Sequence, residues 1–334
     1  MKLGVLEWDI SAMGGRHRTM MCWADYLKSR GVDVTFYSSF WETREGYEKN
    51  TFLRWHSFEY LDYCDFVFFD DLQRNYKAHN VPQEWQGLDI LIVPYGGYGY
   101  LQELLPNTKV ICWVIHPDQP SYPSITEYWT NSKTTRVRLL VSPNYAGVEE
   151  KIHVVIPPHS YEIFWAASRP FPQREYDVCC VGSSVPAKGL LMFDKLVGQM
   201  ELRGVILSSS WKAMKDDDRA VLGAVKHSKL LVNVDIAKVA AILGNSRVYV
   251  SFSLAESCSL ALYEAMNAGC RPVVRDVGAA KEQMGQFGEV FTQNECAYGL
   301  VRSCLENPGP SPMAQGVLFD RDNVGYMIDR RLGV

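Results

Sequence analysis

The sequence has no hydrophobic run long enough to span a bilayer, and its first residues, MKLGVLEWD, open on a strand-like pattern with no leader-like region ahead of it. Together these predict a cytoplasmic protein with no membrane span. There is no C-x-x-C pair. The nine cysteines are odd in number and scattered, which argues against a disulfide framework or a zinc site and for reduced, mostly packed thiols. Positive charge is not in excess either: the formal net charge is -4, and residues 1 to 165 carry more Asp and Glu than Lys and Arg. Nothing therefore demands a polyanionic partner, although a local basic groove is compatible with that balance. Repeats at solenoid spacing and low-complexity tracts are also missing. What remains is a chain of 334 residues, 47% hydrophobic, enough for one large or two medium domains with a sizeable core.

The most informative stretch runs from Arg247 to Gly278. Val248 to Phe252 is a short apolar run of the kind that forms a buried strand, and it breaks into the small polar residues Ala255-Glu256-Ser257-Cys258-Ser259. From Ser259 the pattern turns helical. Leu260, Leu262, Tyr263, Ala265 and Met266 make an apolar face, Gly269 stands at the C-cap position, and Pro272-Val273-Val274 begins another strand. This is a βαβ unit, whose turn lies at the carboxyl end of a parallel sheet, a place to bind a ligand. The amides around Ser257, Cys258, Ser259 and Leu260, at a helix start, suit an anion such as a phosphate. Glu256 and Glu264 are wrong for a phosphate and right for hydroxyls, so the pair suggests a polyhydroxy ligand that carries phosphates. A blander reading fits the same spacing, with Glu256 capping the helix and Glu264 a solvated helix residue.

The segment SFSLAESCSLALYEAMNAGCRPVVRDVG resembles the donor-binding segment of retaining glycosyltransferases of the GT-B fold, family 4 in particular. Glu256 and Glu264 fall on the two glutamates of that pattern, followed by Ala265, Gly269, Pro272, Val273 and Val274, while Ser257 and Ser259 replace frequent glycines. The resemblance implies an α/β chain of two Rossmann-like domains, with parallel sheets facing a central cleft. It also implies Glu256 on sugar hydroxyls, Glu264 on a ribose, transfer with retention, and no metal or other cofactor. The substrate is then a nucleotide-sugar, a UDP-sugar in the first instance.

Leu3 to Trp8 reads as a strand, Arg16 to Arg30 as an amphipathic helix and Val32 to Tyr37 as a second strand. Gly14-Gly15-Arg16-His17 between them is similar to the family's Gly-Gly-x-x-x-His loop near the donor phosphates, where Arg16 or Arg18 could meet a phosphate; a tight turn before a solvated basic helix start is the alternative. Residues 38 to 80 interleave aromatics with charges, among them Phe40, Trp41, Arg44, Tyr47 and Trp55, and form the candidate acceptor surface, unless they simply pack on the sheet. Ile90 to Val93 is a strand before a Gly- and Tyr-rich loop, residues 94 to 100. Val110 to Ile115 delivers His116; a lone His at a strand end is more often structural, and by resemblance this one contacts the donor sugar. Arg138 to Ser142 is read as one more strand.

A Pro-containing linker follows Val154-Val155-Ile156, with the domain boundary near residue 165. The second domain restarts at Asp177 to Gly182. Lys188-Gly189 matches the family's Gly-Arg-x-x-x-x-Lys-Gly, but Ser183 replaces the arginine that holds the diphosphate, so a charged bidentate contact is lost. Ser208 to Trp211 is the expected place of a nucleobase. The expected organisation is an acceptor domain, residues 1 to 165, a nucleotide-sugar domain, 166 to 319, and a terminal helix, 320 to 334, crossing back to the first. His116, Glu256 and Lys188 are the candidate catalytic residues. Gly14, Gly15, Arg16, Ser183, Lys188, Ser257, Cys258, Ser259, Leu260 and Glu264 are the candidate donor-binding ones, and the acceptor is a hydroxyl on a glycan, a small molecule or modified DNA. Two rival functions are a viral-type enzyme acting on hydroxymethylated pyrimidines in DNA, and a nucleotide-sugar-binding protein without transfer activity.

Overall fold

The structure is a computed structural model, described here for residues 1–7, 15–38, 65–68, 83–94, 101–116, 118–119, 121–209 and 216–334. The chain divides into two compact units. One comprises Met1–His159 together with Arg321–Val334, the other Ser160–Asp320.

The first unit is built on seven strands: β1 (Lys2–Glu7), β2 (Asp33–Ser38), β3 (Asp65–Phe68), β4 (Ile90–Val93), β5 (Lys109–Trp113), β6 (Glu127–Thr130) and β7 (Ile152–Val154). They lie in the order β3-β2-β1-β4-β5-β6-β7, and every pair is parallel. Strands such as Ile90–Val93, apolar and buried at every position, are what a parallel sheet covered on both faces requires. Trp23, on the helix Gly15–Ser29, packs edge-on against Trp113 and Trp129 at 5.3 and 5.5 Å between ring centroids. The chain's last helix, Tyr326–Leu332, buries Ile328 in this same core, and Tyr26 donates to Asp329 at 2.9 Å.

The second unit has six parallel strands: β8 (Tyr176–Ser183), β9 (Gly204–Ser209), β10 (Lys229–Val232), β11 (Ser246–Ser251), β12 (Arg271–Arg275) and β13 (Glu289–Phe291). Their order is β10-β9-β8-β11-β12-β13. Relabelled from its own first strand, that is the 3-2-1-4-5-6 arrangement of a Rossmann-like sheet.

One sequence-based element is wrong. Arg138 to Ser142 is not a strand: Lys133–Leu140 is a helix, and the sheet position is taken by β7. Ser132 caps that helix, its hydroxyl accepting from Thr135 N–H at 3.0 Å, and Leu139 points into the core while Val141 is 78% exposed. The apolar triplet Leu139-Leu140-Val141 is thus split between inside and outside, as a helix end splits it. Among the described residues no helix is long and apolar enough to cross a membrane.

Candidate active site

In the second unit the strand order reverses between β8 and β11, so the loops leaving these two strands diverge at the carboxyl edge of the sheet and leave a crevice there. Both carry sequence-predicted residues. Ser183 ends β8 beside Ser209 of β9, and a short turn, Pro186–Lys188, presents Lys188. Gly189 follows with φ +69, and a Cβ there would lie 2.7 Å from the carbonyl oxygen of Phe252, so only glycine lets this loop press onto the end of β11. Leu254 N–H donates to Ala187 O at 2.8 Å and ties the two loops together. Across this junction Lys188 Nζ donates to Glu256 Oε1 at 2.6 Å. The two side chains are 32% and 22% exposed, buried enough to be held and open enough to meet a ligand.

The turn that carries Glu256 is shaped from behind. Gly278, φ +56, lies so close that a Cβ would stand 2.2 Å from the carbonyl oxygen of Glu256, and Ala279 N–H donates to Ser257 O at 2.8 Å. Ser259, not Glu256, caps the helix Leu260–Asn267, its hydroxyl accepting from Leu262 N–H at 3.3 Å. Glu264, inside that helix, is 2% exposed. The bland reading of the two glutamates therefore fails at both ends: the cap is a serine, and the second carboxylate is buried where a solvated one would face water. Burial pushes the Cys258 thiol up to about 12, and it donates to the Tyr263 hydroxyl at 3.5 Å, which makes it a neutral thiol.

Two residues here gave no sequence signal. Gln283, 1% exposed, accepts from Ser259 N–H at 2.9 Å and donates to Ser259 O at 2.8 Å. Arg275 ends β12 and joins Tyr249, Ser251, Glu256, Ser259 and Gln283 in lining a small recess. Its guanidinium donates to Thr292 O at 3.0 Å and lies 5.6 Å over the Phe291 ring. A lone Gln and an Arg at a strand end belong to no recognisable spacing, and only the fold brings them to the turn.

In the first unit the reversal falls between β1 and β4. The loops leaving those strands, with Gly14 in one and residues 95–100 in the other, lie outside the described residues, as do most of the aromatic and charged segment 38–80 and Trp211. Gly15 opens the helix Gly15–Ser29; the side chain of Arg16 is likewise outside the description. His116 lies beyond β5, accessible, with Nδ1 3.2 Å from Asp118 Oδ2. The structure thus gathers Ser183, Lys188, Glu256, Ser257 to Leu260 and Glu264 on one unit, and holds His116 on the other. Among the described residues no cluster of His, Cys, Asp and Glu is placed to hold a metal ion.

Two all-parallel Rossmann-like sheets in one chain are the plan of the GT-B fold, and the likeness to solved structures of that fold makes the assignment. The comparisons agree. The chain is similar to the sucrose-phosphate synthase of Thermosynechococcus elongatus, with a TM-score of 0.76 at 12% identity, covering 99% of this chain and 98% of that one. It is similar to the pneumococcal O-GlcNAc transferase in complex with UDP and GlcNAc, with a TM-score of 0.70 at 10% identity over 99% and 98%. An alpha-glucosyltransferase in complex with UDP and a 13-mer DNA gives a TM-score of 0.66 at 10% identity over the whole of both chains. No family model and no curated protein matches the sequence.

Proposed function

We propose that this protein is a retaining glycosyltransferase that moves a sugar from a nucleotide-sugar to a hydroxyl acceptor. The observation that carries the reading is the contact between Lys188 and Glu256 at the switch point of the second sheet. An ammonium attracts a phosphate oxygen, and a carboxylate accepts from sugar hydroxyls. A sugar phosphate presents these two kinds of group next to each other, as the site does. In the reaction the bond between the anomeric carbon and the phosphate oxygen breaks, the acceptor oxygen bonds to that carbon, and the acceptor's proton leaves with the diphosphate or through solvent. Lys188 and the amides at Ser257, Cys258 and Leu260 stabilise the charge that grows on the departing diphosphate, which is where such donors lower a barrier. Glu256 orients the sugar, Glu264 takes the ribose, and His116 keeps its assignment to the donor sugar. Ser183 hydrogen-bonds a phosphate without the charge of an arginine, so donor affinity is modest unless another cation, such as Arg16, compensates.

UDP is the first donor nucleotide to test, since two of the similar structures hold it. Incubation with radiolabelled UDP-, GDP- and ADP-sugars tests the function: the reading expects nucleotide release or label transfer with one of them, and its loss in Glu256→Ala. Turnover unchanged in that variant removes the sugar-site assignment, whereas binding without any turnover leaves a nucleotide-sugar-binding protein. A second reading, with modified DNA as the acceptor, is favoured by the similarity to the DNA-bound alpha-glucosyltransferase. It requires binding to duplex DNA that weakens steeply with salt.

A further inference from the structure

We infer that Gln283 is the positioning residue of the proposed donor site, holding the anion-binding turn in shape through both backbone groups of Ser259. The inference rests on the donor-site reading above. The side-chain amide of Gln283 is bound twice to a single residue: Oε1 accepts from Ser259 N–H at 2.9 Å and Nε2 donates to Ser259 O at 2.8 Å. With Ser259 Oγ accepting from Leu262 N–H, both main-chain groups and the hydroxyl of Ser259 are committed to the protein. Ser259, predicted as a donor-binding residue, therefore acts as the fixed post of the turn, and its amide is already spent on Gln283. The neighbouring amides are aimed by where this post stands. Gln283 is itself held: it is 1% exposed, its N–H donates to Ala279 O at 2.9 Å, and Ala279 N–H donates to Ser257 O at 2.8 Å. Gln283 thus braces one end of the turn and Ala279 the middle. The energetic logic is preorganisation, since a turn already in its binding shape loses less freedom when the ligand arrives.

Substitution separates this role from simple packing. Gln283→Met keeps volume and removes both hydrogen bonds. Gln283→Glu keeps the acceptor, and at neutral pH its charge faces the carbonyl of Ser259. When protonated, its carboxyl restores the pair, with a carbonyl oxygen accepting from Ser259 N–H and an O–H donating to Ser259 O. UDP, GDP and ADP are titrated calorimetrically into the wild type and both variants between pH 5 and 8, with circular dichroism to verify folding. The expected result is a nucleotide affinity about tenfold weaker in Gln283→Met at every pH, and in Gln283→Glu a loss of similar size at pH 8 that is recovered toward pH 5. Wild-type binding matched by a folded Gln283→Met, or a Gln283→Glu variant with the wild-type pH profile, overturns the inference. A wild type that binds none of the three nucleotides overturns the donor-site reading and this inference with it.

Discussion

The two units share one sheet plan and bury different things. Among its described residues the first unit hides hydroxyls, an amide and one imidazole, Thr19, Thr108, Thr130, Asn131, Ser132, Thr135 and His159, around a core led by three tryptophans. Among the described residues the second hides carboxylates and guanidiniums as well: Arg174, Asp194, Glu264 and Arg271 are all less than a tenth exposed. Charged side chains are rarely buried without partners or purpose, so this contrast locates where the second unit departs from a plain scaffold. For Arg174 and Asp194 the purpose is structural. Arg174 donates to the carbonyls of Arg169, Ser246 and Ala268, and for Asp194 burial, which raises the carboxyl, is outweighed by the N–H groups of Lys226, His227 and Ser228 that it accepts from, so it lies below the ordinary aspartate range. Glu264 sits on the helix Leu260–Asn267, which starts at the candidate site, and the proposed function gives it the ribose.

The contrast can be broken by experiment. The largest effect is expected for Lys188→Met, which removes the cation and keeps its stem: transfer activity falls on the order of a hundredfold or more with a melting temperature close to wild type. A variant with full activity would mean that the charge at the switch point does no chemistry. Arg174→Met is expected to act oppositely, lowering stability by about 3 kcal/mol or more in chemical denaturation because several buried carbonyls lose their donor. Nucleotide affinity of the folded fraction stays as in wild type, and a selective loss of affinity without loss of stability would put Arg174 in the site.

The smallest effect belongs to the first unit. Burial, with Arg18 nearby, pushes the His159 imidazole down to about 3, and its Nδ1 lies 2.9 Å from Cys22 Sγ. The unfolded chain takes up a proton at an ordinary histidine near 6.5 while the folded one does not, so stability is lost as pH falls from about 6.5 toward 3. Replacing His159 by Gln should flatten the dependence of melting temperature on pH between about 6.5 and 4, with donor binding untouched. An unchanged slope would show that other groups carry the acid sensitivity.

How much of this was legible in the sequence depended on whether a residue acts through its neighbours in the chain or through distant ones. The strand, polar turn and helix around Glu256 were readable because hydrophobic period, small residues and Gly269 all lie within one βαβ unit. Lys188 was readable only through resemblance to a motif. Its meeting with Glu256, 68 positions away, depends on Gly189 lying against Phe252, a tertiary contact without any local pattern. The same applies to Gln283, whose partner is 24 positions earlier. Arg138 to Ser142 misled because an apolar triplet suits a strand or a helix end equally, and the deciding signal, Ser132 as N-cap, stands several residues upstream. The charge of the second unit's interior was invisible, since composition does not say which Arg or Glu is inside.

The proposed function gives the phosphate to Lys188 and the sugar to Glu256. Its most direct test is titration of UDP and of UDP-glucose, or of whichever donor pair the wild type binds, into wild type, Lys188→Met and Glu256→Gln. Lys188→Met is expected to weaken both ligands about tenfold or more, while Glu256→Gln leaves the nucleotide bound as well as before or better, with Lys188 released from its carboxylate, and loses the sugar's share of the affinity. Affinities for both ligands that are equal in all three proteins would contradict it.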